Sequence, residues 1–381
     1  MAGSDVLEPL WRSAREAVEP GALVSRFFRD RPPAPARRRG LFACGKAALA
    51  MARGATASLF DSTLVVVPRG TPVPRAWRNR VLFASHPEPD ASSVAAARAA
   101  IAFFRKFGQG DEIVALISGG ASSLLCLPKK GITLAEKKAR VRRAMRAGWP
   151  IERLNRLRIS LSAIKGGKLA EATEARVTTL VLSDVPGADF RIVGSGPTIR
   201  KRRGDRAVLL ADNRTGLAAA SEEARRFGAR ISIIRRSLSG EAAAAGREFA
   251  KRLKALARRG RGPLVLLAGG ETTVAIRGRA GTGGRNQELA LAAALEIAGD
   301  PRLSILAAGS DGVDGNSENA GARVDGGTIA RGARRGIDAE RFLAGHDAAG
   351  FFARAGGAFH TGPTGTNVAD WVFGYAAPPE S

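Results

Sequence analysis

Short apolar segments alternate with alanine-rich segments of helical period along this chain, and this alternation restricts the folds that it can adopt. Four apolar segments have the length of buried strands: Leu41–Cys44, Leu64–Val67, Ile113–Ile117 and Leu180–Leu182. Four others have helical period, with Asp212 as the expected N-cap of the last: Ala47–Leu59, Ser93–Phe107, Leu134–Ala147 and Asn213–Phe227. This order predicts an α/β fold of βαβ units, in which helices cover both faces of a parallel sheet.

The composition changes at Glu241–Gly262, where a helix rich in Ala, Arg and Lys ends in a loop of Arg and Gly. The predicted strand Leu264–Ala268 follows, and beyond it the chain is rich in Gly, Asn, Asp and Thr. We therefore predict an N-terminal Rossmann-like α/β/α domain at 1–240, a boundary region at 241–262 and a smaller C-terminal α/β domain at 263–381. The last residues are candidates to pack back on the N-terminal domain. Because Gly-rich loops occur in both halves, we expect an active site in the cleft between the domains.

The chain is strongly basic, with 60 Lys and Arg against 35 Asp and Glu and a formal net charge of +25. Such an excess suits either nucleic acid or an anionic small molecule. The basic clusters are not interleaved with aromatic residues, and the single Tyr and the low aromatic content argue against a base-stacking surface. We therefore favour an anionic substrate, with nucleic-acid binding as the weaker alternative.

Two cysteines, Cys44 and Cys126, are too few for a disulfide scaffold or a four-ligand zinc site, and they favour a reducing compartment. No apolar stretch approaches the roughly 18 residues that a membrane helix needs. The first twelve residues carry acids and lack the apolar core of a signal peptide. These features predict a cytoplasmic protein without a membrane partner.

Two strand–loop–helix units of the N-terminal half carry groups that suit an anion. The first ends a strand at Gly45 and places Lys46 at a helix start, where unpaired N–H groups add to its charge. It is not a Walker A loop, because Ala47 stands where a magnesium-binding Ser or Thr is needed. The second, Ser118–Ser123, combines two adjacent glycines with three hydroxyls. A solvated lysine and a tight structural turn remain the simpler alternatives.

Carboxylates and amides follow other predicted strands. Asp184 ends a buried strand, where it could bind magnesium, accept a hydroxyl proton or only cap the turn before Pro186. Arg285 can bind two phosphate oxygens, and the adjacent Asn286 and Gln287 can hydrogen-bond a polar substrate. Asp311 and Asp314 lie three residues apart, without the further ligands of an EF-hand.

A set of short motifs spans nearly the whole chain: Gly45–Ala48, Ser85–Asp90, Ser118–Gly120, Leu161–Ala170, Ser183–Gly187, Ser195–Thr198, Asp212–Thr215, Gly270–Thr273, Gly284–Glu288, Asp311–Gly315 and Thr361–Asn367. In this order the chain resembles the glycerate 2-kinase family, which joins an N-terminal kinase-type domain to a C-terminal Gly-rich domain of MOFRL type. The resemblance implies transfer of the γ-phosphoryl group of ATP to the 2-hydroxyl of D-glycerate, with Mg²⁺, by a monomer or homodimer.

The same resemblance implies roles for individual residues. Lys46 and Arg285 are the catalytic candidates, and Asp184 is the base or a magnesium contact. Asp311 and Asp314 are further metal candidates. The expected substrate-binding residues are Lys165, Arg158 and Glu271. The expected nucleotide- and phosphate-binding residues are Ser118, Gly119, Gly120, Ser122, Gly284, Asn286, Gln287 and Thr364.

Two other functions compete with phosphoryl transfer. Relatives of this family have carried the name hydroxypyruvate reductase, but a nicotinamide cofactor would need a strand–G-x-G-x-x-G–helix unit, and no predicted unit has that glycine spacing. The basic charge also allows a non-catalytic protein that binds anions or RNA on the same fold.

Overall fold

The parallel sheet predicted from the N-terminal half is present, and a second sheet follows it. The structure, a computed structural model, describes residues 3–149, 151–185, 189–276, 278 and 280–379. Its strands are β1 (Arg39–Cys44), β2 (Ser62–Pro68), β3 (Val81–Ala84), β4 (Glu112–Ile117), β5 (Arg176–Leu182), β6 (Arg206–Ala211), β7 (Arg230–Ile233), β8 (Leu264–Gly270), β9 (Leu303–Gly309), β10 (Gly321–Asp325), β11 (Ala358–Phe359) and β12 (Asp370–Ala376). Its helices are α1 (Gly3–Ala17), α2 (Pro20–Asp30), α3 (Ala48–Gly54), α4 (Ala91–Phe104), α5 (Ala121–Leu124), α6 (Leu134–Arg146), α7 (Ile151–Ser160), α8 (Asn213–Arg226), α9 (Ala242–Ala257), α10 (Arg285–Ile297), α11 (Thr328–Ala333), α12 (Ala339–Ala344) and α13 (Ala348–Ala355).

Residues 19–211, called here the parallel-sheet unit, form one of two compact units. Its six strands are parallel in the order β3-β2-β1-β4-β5-β6, which is the strand order of doubly wound α/β domains. Every residue of β4 is buried, as expected for a strand covered on both faces. Because β1, β4 and β5 are neighbours and parallel, the loops that follow them lie at one edge of the sheet.

Residues 1–18 and 212–381, called here the mixed-sheet unit, form the other. Its sheet has the order β11-β10-β9-β12-β8-β7, with β12 antiparallel to both of its neighbours and β7 parallel to β8. Helices α9 and α10 pack together over this sheet, and α1 packs on α8. Buried Trp371 of β12 donates its indole N–H to the backbone carbonyl of Asn213, 3.1 Å away, which joins the start of α8 to the sheet.

This division differs from the predicted domain boundary. It lies at 211/212, so α8, β7 and α9 belong to the mixed-sheet unit, although the prediction placed the first two in a domain at 1–240. The composition change at 241–262 marks only an amphipathic helix, since α9 buries Phe249 and Leu253 and exposes Lys251 and Arg252. The two units are also nearly equal in length, so the second is not markedly smaller.

Both ends of the chain belong to the mixed-sheet unit. The last strand, β12, lies between β9 and β8 and packs on α1 and α8, which the prediction had placed in the N-terminal domain. The N-terminal residues belong to this same unit: the Trp11 ring meets the Phe359 ring edge-on at 5.3 Å, and the Ser13 hydroxyl donates to the Ala219 carbonyl at 3.3 Å. These contacts join residues far apart in sequence, which local patterns do not reveal.

Predicted helix ends shift where a cap or a close approach was overlooked. Helix α4 begins at Ala91 because the Asp90 carboxylate accepts the N–H of Ser92 at 2.8 Å within a capping box. Helix α3 ends at Gly54, where a Cβ would lie 2.1 Å from the Gly21 carbonyl, and only a 3₁₀ turn at Ala57–Leu59 continues it. The predicted N-cap Asp212 is confirmed, since it forms a capping box with Thr215. No helix within the described ranges is long and apolar enough to cross a membrane.

Candidate active site

The loops after β1 and β4 are bound to each other through their backbones. The Lys46 N–H donates to the Gly119 carbonyl at 2.8 Å, and the Ala47 N–H donates to the Ser118 hydroxyl at 3.1 Å. Gly45 has φ +135°, and a Cβ there would lie 2.1 Å from that hydroxyl, so only glycine fits. Ser118 is completely buried, so its hydroxyl holds the Lys46 loop in place.

The Lys46 side chain passes beside the glycine that precedes α5. Gly120 has φ +85°, and a Cβ on it would lie 3.3 Å from Cγ of Lys46 and 3.1 Å from the ring of His86. Burial, followed by the charge of Lys46, lowers the pKa of His86, which keeps the imidazole neutral at pH 7. The structure therefore brings Lys46, Gly119 and Gly120 together, and it adds His86 of the motif at 85–90.

A pocket of about 420 Å³ opens next to this loop in the parallel-sheet unit, and we call it the basic pocket. Its lining residues are Pro87, Glu88, Pro89, Ser122, Ser123, Cys126, Lys137, Lys138, Val141, Arg142, Met145, Arg158 and Lys165. The sequence prediction had assigned Ser122 to phosphate and Lys165 and Arg158 to substrate. The structure places all three in this one pocket.

Lys165 lies at the base of the basic pocket and is only 2% exposed. Its ammonium donates to the Ser122 carbonyl at 2.6 Å and also to the Ser122 hydroxyl, which lies 3.4 Å from the hydroxyl of Ser195. Burial lowers the pKa of Lys165 to about 7, and the nearby charges of Lys137 and Arg158 act in the same direction. Holding several cations together without water is costly unless an anion binds among them.

Asp184 follows β5 at the same sheet edge and is half-buried. The N–H of Ser183 before it donates to the Ala211 carbonyl at 3.0 Å, which fixes the end of the strand. The rest of the predicted motif, Pro186 and Gly187, lies outside the described residues. The position of Asp184 at a carboxyl-terminal strand end is the one at which parallel sheets bind ligands.

In the mixed-sheet unit, Arg285 begins α10 and binds two carboxylates. Its Nε and Nη2 donate to the Asp370 carboxylate at 2.5 and 3.1 Å, and its Nη1 lies 2.7 Å from Oε1 of Glu271. Burial alone would lower the pKa of Arg285, but the hydrogen bond and charge of Asp370 and the charge of Glu271 raise it overall. The structure thus confines the guanidinium to one orientation. Asp370, which is 4% exposed, was missed because its partner lies 85 residues earlier.

The N-terminus of α10 already holds a carboxylate of the protein. Asp314 accepts the backbone N–H groups of Asn286 and Gln287 at 3.0 and 2.8 Å and both of their side-chain amides at 3.3 and 3.2 Å. Gly284 is required next to it, since a Cβ there would lie 2.3 Å from an oxygen of Asp314. Asn286, Gln287 and Gly284, predicted to bind phosphate, therefore surround Asp314 in this structure.

Burial raises the pKa of Asp314 to about 6, although the N–H groups of Asn286 and Gln287 act against the rise. Both of its oxygens are used by the helix, so the donor set fits a cap better than a metal ligand. Half-buried Asp311 accepts the N–H of Val313 at 3.2 Å, and the Thr364 N–H donates to the Asp311 carbonyl at 3.1 Å. Thr364 thus supports Asp311, and its hydroxyl donates to the Ser310 carbonyl at 2.5 Å.

Both carboxylate oxygens of Asp314 bind the start of α10, so Asp184 and Asp311 are the other sequence-predicted metal ligands to compare with Mg²⁺. Among the described residues, no three His, Cys, Asp or Glu side chains are grouped as a metal site. Mg²⁺ at phosphates commonly uses only one or two protein carboxylates, with phosphate oxygens and water as its other ligands. Single carboxylates such as Asp184 and Asp311 therefore fit a metal that arrives with a nucleotide.

Two family models match the chain, one over each part of it. The model described as a domain of unknown function, DUF4147, matches residues 6–227, and the MOFRL family model matches residues 264–370. The first alone covers more than half of the chain.

Individual relatives are similar to this chain over most of their own length. A glycerate 2-kinase of Pyrococcus horikoshii is 34% identical, covering 86% of this chain and 85% of that protein. A putative hydroxypyruvate reductase of Agrobacterium vitis is 36% identical, covering 86% and 96%. The crystal structure of glycerate kinase from Thermotoga maritima has a TM-score of 0.89 at 30% identity, covering 98% of this chain and 99% of that one. By its domains, its sequence and its fold, the chain belongs to the glycerate 2-kinase family.

Proposed function

We propose that this protein transfers the γ-phosphoryl group of ATP to the 2-hydroxyl of D-glycerate and releases 2-phosphoglycerate and ADP. The names of its relatives support this reaction, and one observation in the structure carries it. The basic pocket gathers Lys137, Arg158 and Lys165, and none of the three forms an ion pair with a carboxylate of the described residues. An acceptor that carries a carboxylate supplies the missing charge.

Phosphoryl transfer makes few covalent demands on a protein, so positioned charges carry most of the catalysis. The oxygen of the 2-hydroxyl forms a bond to the γ-phosphorus as the bond from that phosphorus to the β–γ bridging oxygen breaks. The hydroxyl proton passes to a base, for which we propose Asp184, and the bridging electrons leave on ADP. We propose that Lys46 and Arg285 stabilise the charge on the transferred group.

The support for these roles differs between the residues. Lys46 lies on a loop that Gly45 and Ser118 hold rigidly, which is the preorganisation that electrostatic catalysis needs. Arg285 is held by Asp370 and Glu271, so its orientation is set before a substrate binds. Mg²⁺, when bound with ATP, would neutralise phosphate charge; Asp311 is the residue proposed to hold it, and Asp184 would be its ligand only if another group served as the base. We expect the reaction to run in the cytoplasm, where the buried thiols of Cys44 and Cys126 stay reduced.

Reduction of hydroxypyruvate is the second candidate, because a relative carries that name. A dinucleotide would need a glycine-rich turn between β1 and the following helix. Here the link from β1 to α3 has three residues, 45–47, with a single glycine. The N–H groups of Lys46 and Ala47 are already hydrogen-bonded to the loop that follows β4. This geometry favours the kinase.

ADP release tests the proposal directly. The protein with ATP and Mg²⁺ should release ADP with D-glycerate and not with L-glycerate, hydroxypyruvate or no acceptor. Lys46→Ala should lower kcat/KM by about 100-fold or more, whereas Lys106→Ala, which removes an exposed lysine of the same unit, should not change it. Equal rates for wild type and Lys46→Ala would remove Lys46 from the mechanism. No ADP release with D-glycerate would contradict the proposed reaction.

A further inference from the structure

Lys137 of α6 differs in its hydrogen bonding from buried Lys165 and half-buried Lys168 of the same unit. It is only 4% exposed, and its ammonium has no hydrogen-bond partner among the described residues. By contrast, Lys165 donates to Ser122, and Lys168 donates to the carbonyls of Ile159 and Ser162 at 3.1 and 2.7 Å. A buried ammonium without a strong acceptor is unfavourable, so an anionic group bound beside Lys137 would relieve this cost.

The basic pocket shows where that group would lie. Lys137 lines the pocket together with Arg158 and Lys165. At the rim, Glu88 neutralises the outer cations, since it lies 3.1 Å from Lys138 and 2.7 Å from Arg142. The charge inside the pocket therefore remains uncompensated. Burial lowers the pKa of Lys137, and the neighbouring Cys126 thiol, which is a weak acceptor, opposes this only in part.

The pocket suits a small hydroxy acid better than a nucleotide. Its volume of about 420 Å³ is in the range of small-molecule sites. None of its described lining residues is aromatic, so it offers no surface on which a base could stack. The guanidinium of Arg158 can bind both oxygens of a carboxylate, and the Ser122 hydroxyl can bond a substrate hydroxyl.

We propose that Lys137 binds the carboxylate of the acceptor in the basic pocket and so determines the affinity for the acceptor and not for ATP. This inference rests on the proposed function, which it deepens by assigning one side of the substrate. Lys137 acts by binding and takes no part in the transfer of the phosphoryl group.

Steady-state kinetics with a matched control test this assignment. Lys137→Met keeps an unbranched side chain of similar length, one atom shorter, and removes its charge. It should raise the KM for D-glycerate about 10- to 100-fold, the loss of one charge-assisted hydrogen bond, and leave the KM for ATP within about twofold. Arg140→Met, which removes an exposed charge from the same helix, should change neither KM. Lys137→Arg should restore part of the affinity.

The melting temperature distinguishes a ligand-binding lysine from a purely structural one, because replacing a purely structural lysine would lower it. Because Lys137→Met removes an unpartnered buried charge, the ligand-free variant should melt at a higher temperature than wild type. Lys137→Gln serves the same comparison if the Met variant does not fold. An unchanged KM for D-glycerate, or a rise confined to the KM for ATP, would overturn the inference.

Thermal melting in the presence of D-glycerate tests acceptor binding independently of phosphoryl transfer. If wild type releases no ADP with any acceptor, the proposed function fails. D-glycerate that still raises the melting temperature of wild type, but not of Lys137→Met, would keep the inference. An equal shift in both proteins, or a shift with inorganic phosphate only, would overturn it.

Discussion

At the scale of single residues, the side chains most important for the proposed function are buried cations that have no negative charge beside them among the described residues. Lys165 is buried among other cations, and within the described part of the chain its ammonium donates to the carbonyl and hydroxyl of Ser122. Its ammonium has therefore exchanged water for two uncharged hydrogen-bond acceptors. Such a residue is retained at a cost in stability, which is expected where a site is built for an anion.

This cost should depend on pH. The pKa of Lys165 falls to about 7 in the folded protein, from an ordinary value that the unfolded chain retains. The folded state then binds fewer protons above pH 7, so the stability contributed by Lys165 is complete above the ordinary lysine pKa and is lost as the pH falls toward 7. Relative to Lys165→Met, the free energy of unfolding of wild type should rise by up to about 1.4 kcal/mol per pH unit above pH 7.

Urea unfolding of both proteins at pH 7, 8 and 9 measures this difference. Lys106→Met is the control, since it removes an exposed lysine of the same unit. A constant difference between wild type and Lys165→Met over this range would show that burial does not destabilise the Lys165 ammonium.

Single residues also show what the sequence could not reveal. Lys165, Arg158 and Ser122 were predicted to bind ligands, and the structure places them in one pocket. Lys137 was not predicted, because in the sequence it is one of several basic residues of an amphipathic helix. Only the packing of α6 distinguishes the buried Lys137 from the exposed Arg140.

At the scale of elements, helix α10 shows how one carboxylate can replace a ligand. Its glycine-rich start resembles a phosphate-binding helix, and the sequence was interpreted in that way. Asp314 instead accepts the N–H groups of Asn286 and Gln287. The motif 284–288 and the motif 311–315 are thus two parts of one cap, a relation that appears only when α10 and the end of β9 are neighbours.

Removal of that cap should destabilise the mixed-sheet unit. In Asp314→Ala, two backbone and two side-chain N–H groups lose their acceptor inside the protein, which should cost about 2 to 4 kcal/mol in the free energy of unfolding. Asp338→Ala is the matched control, because Asp338 caps α12 at an exposed position, and its loss should cost about 1 kcal/mol. Equal losses in chemical denaturation would mean that Asp314 is no more than a surface cap.

The elements themselves were largely predictable. Each of the predicted strands lies within an observed one, because apolar runs between turn residues are a strong signal for buried parallel strands. The predicted helix at 47–59 was wrong in its second half, since Gly54 touches the backbone of α2 and the helix ends there. Edge strands such as β7, with a mixed burial pattern, gave no such signal.

At the scale of the whole molecule, the two-domain α/β fold is confirmed, but the division of the chain differs from the predicted one. Residues 19–211 have a complete sheet and their own buried core. Residues 1–18 join 212–381, because α1 packs on α8 and β12. A boundary based on composition cannot detect a unit assembled from both ends of the chain.

The stability of fragments of the chain should reflect the division at 211/212. A fragment of residues 19–211 should unfold cooperatively and resist limited proteolysis. A fragment of residues 1–240 should be cleaved beyond residue 211, because α8 lacks β8 and β12, on which it packs. Circular dichroism melts and mass spectrometry of the digests provide the measurement. Protection of α8 in fragment 1–240 equal to that in the full chain would contradict a division at 211/212.

The net charge of +25 also has two parts. Some of the arginines are structural: Arg200 binds Asp205 at 2.7 Å and the carbonyl of Ala175 at 3.1 Å. Others line the basic pocket, where no carboxylate of the described residues forms an ion pair with Lys137, Arg158 or Lys165. The sequence predicts an anionic substrate from the total charge, whereas the structural support for that substrate comes from this second group.

The position of the phosphate on the product tests the central claim most directly. After incubation with ATP, Mg²⁺ and D-glycerate, phosphorus NMR of the product distinguishes the 2-phosphate from the 3-phosphate of glycerate. We expect 2-phosphoglycerate in an amount equal to the ADP released. Formation of 3-phosphoglycerate, or the absence of any phosphorylated glycerate while NADH is consumed with hydroxypyruvate, would contradict it.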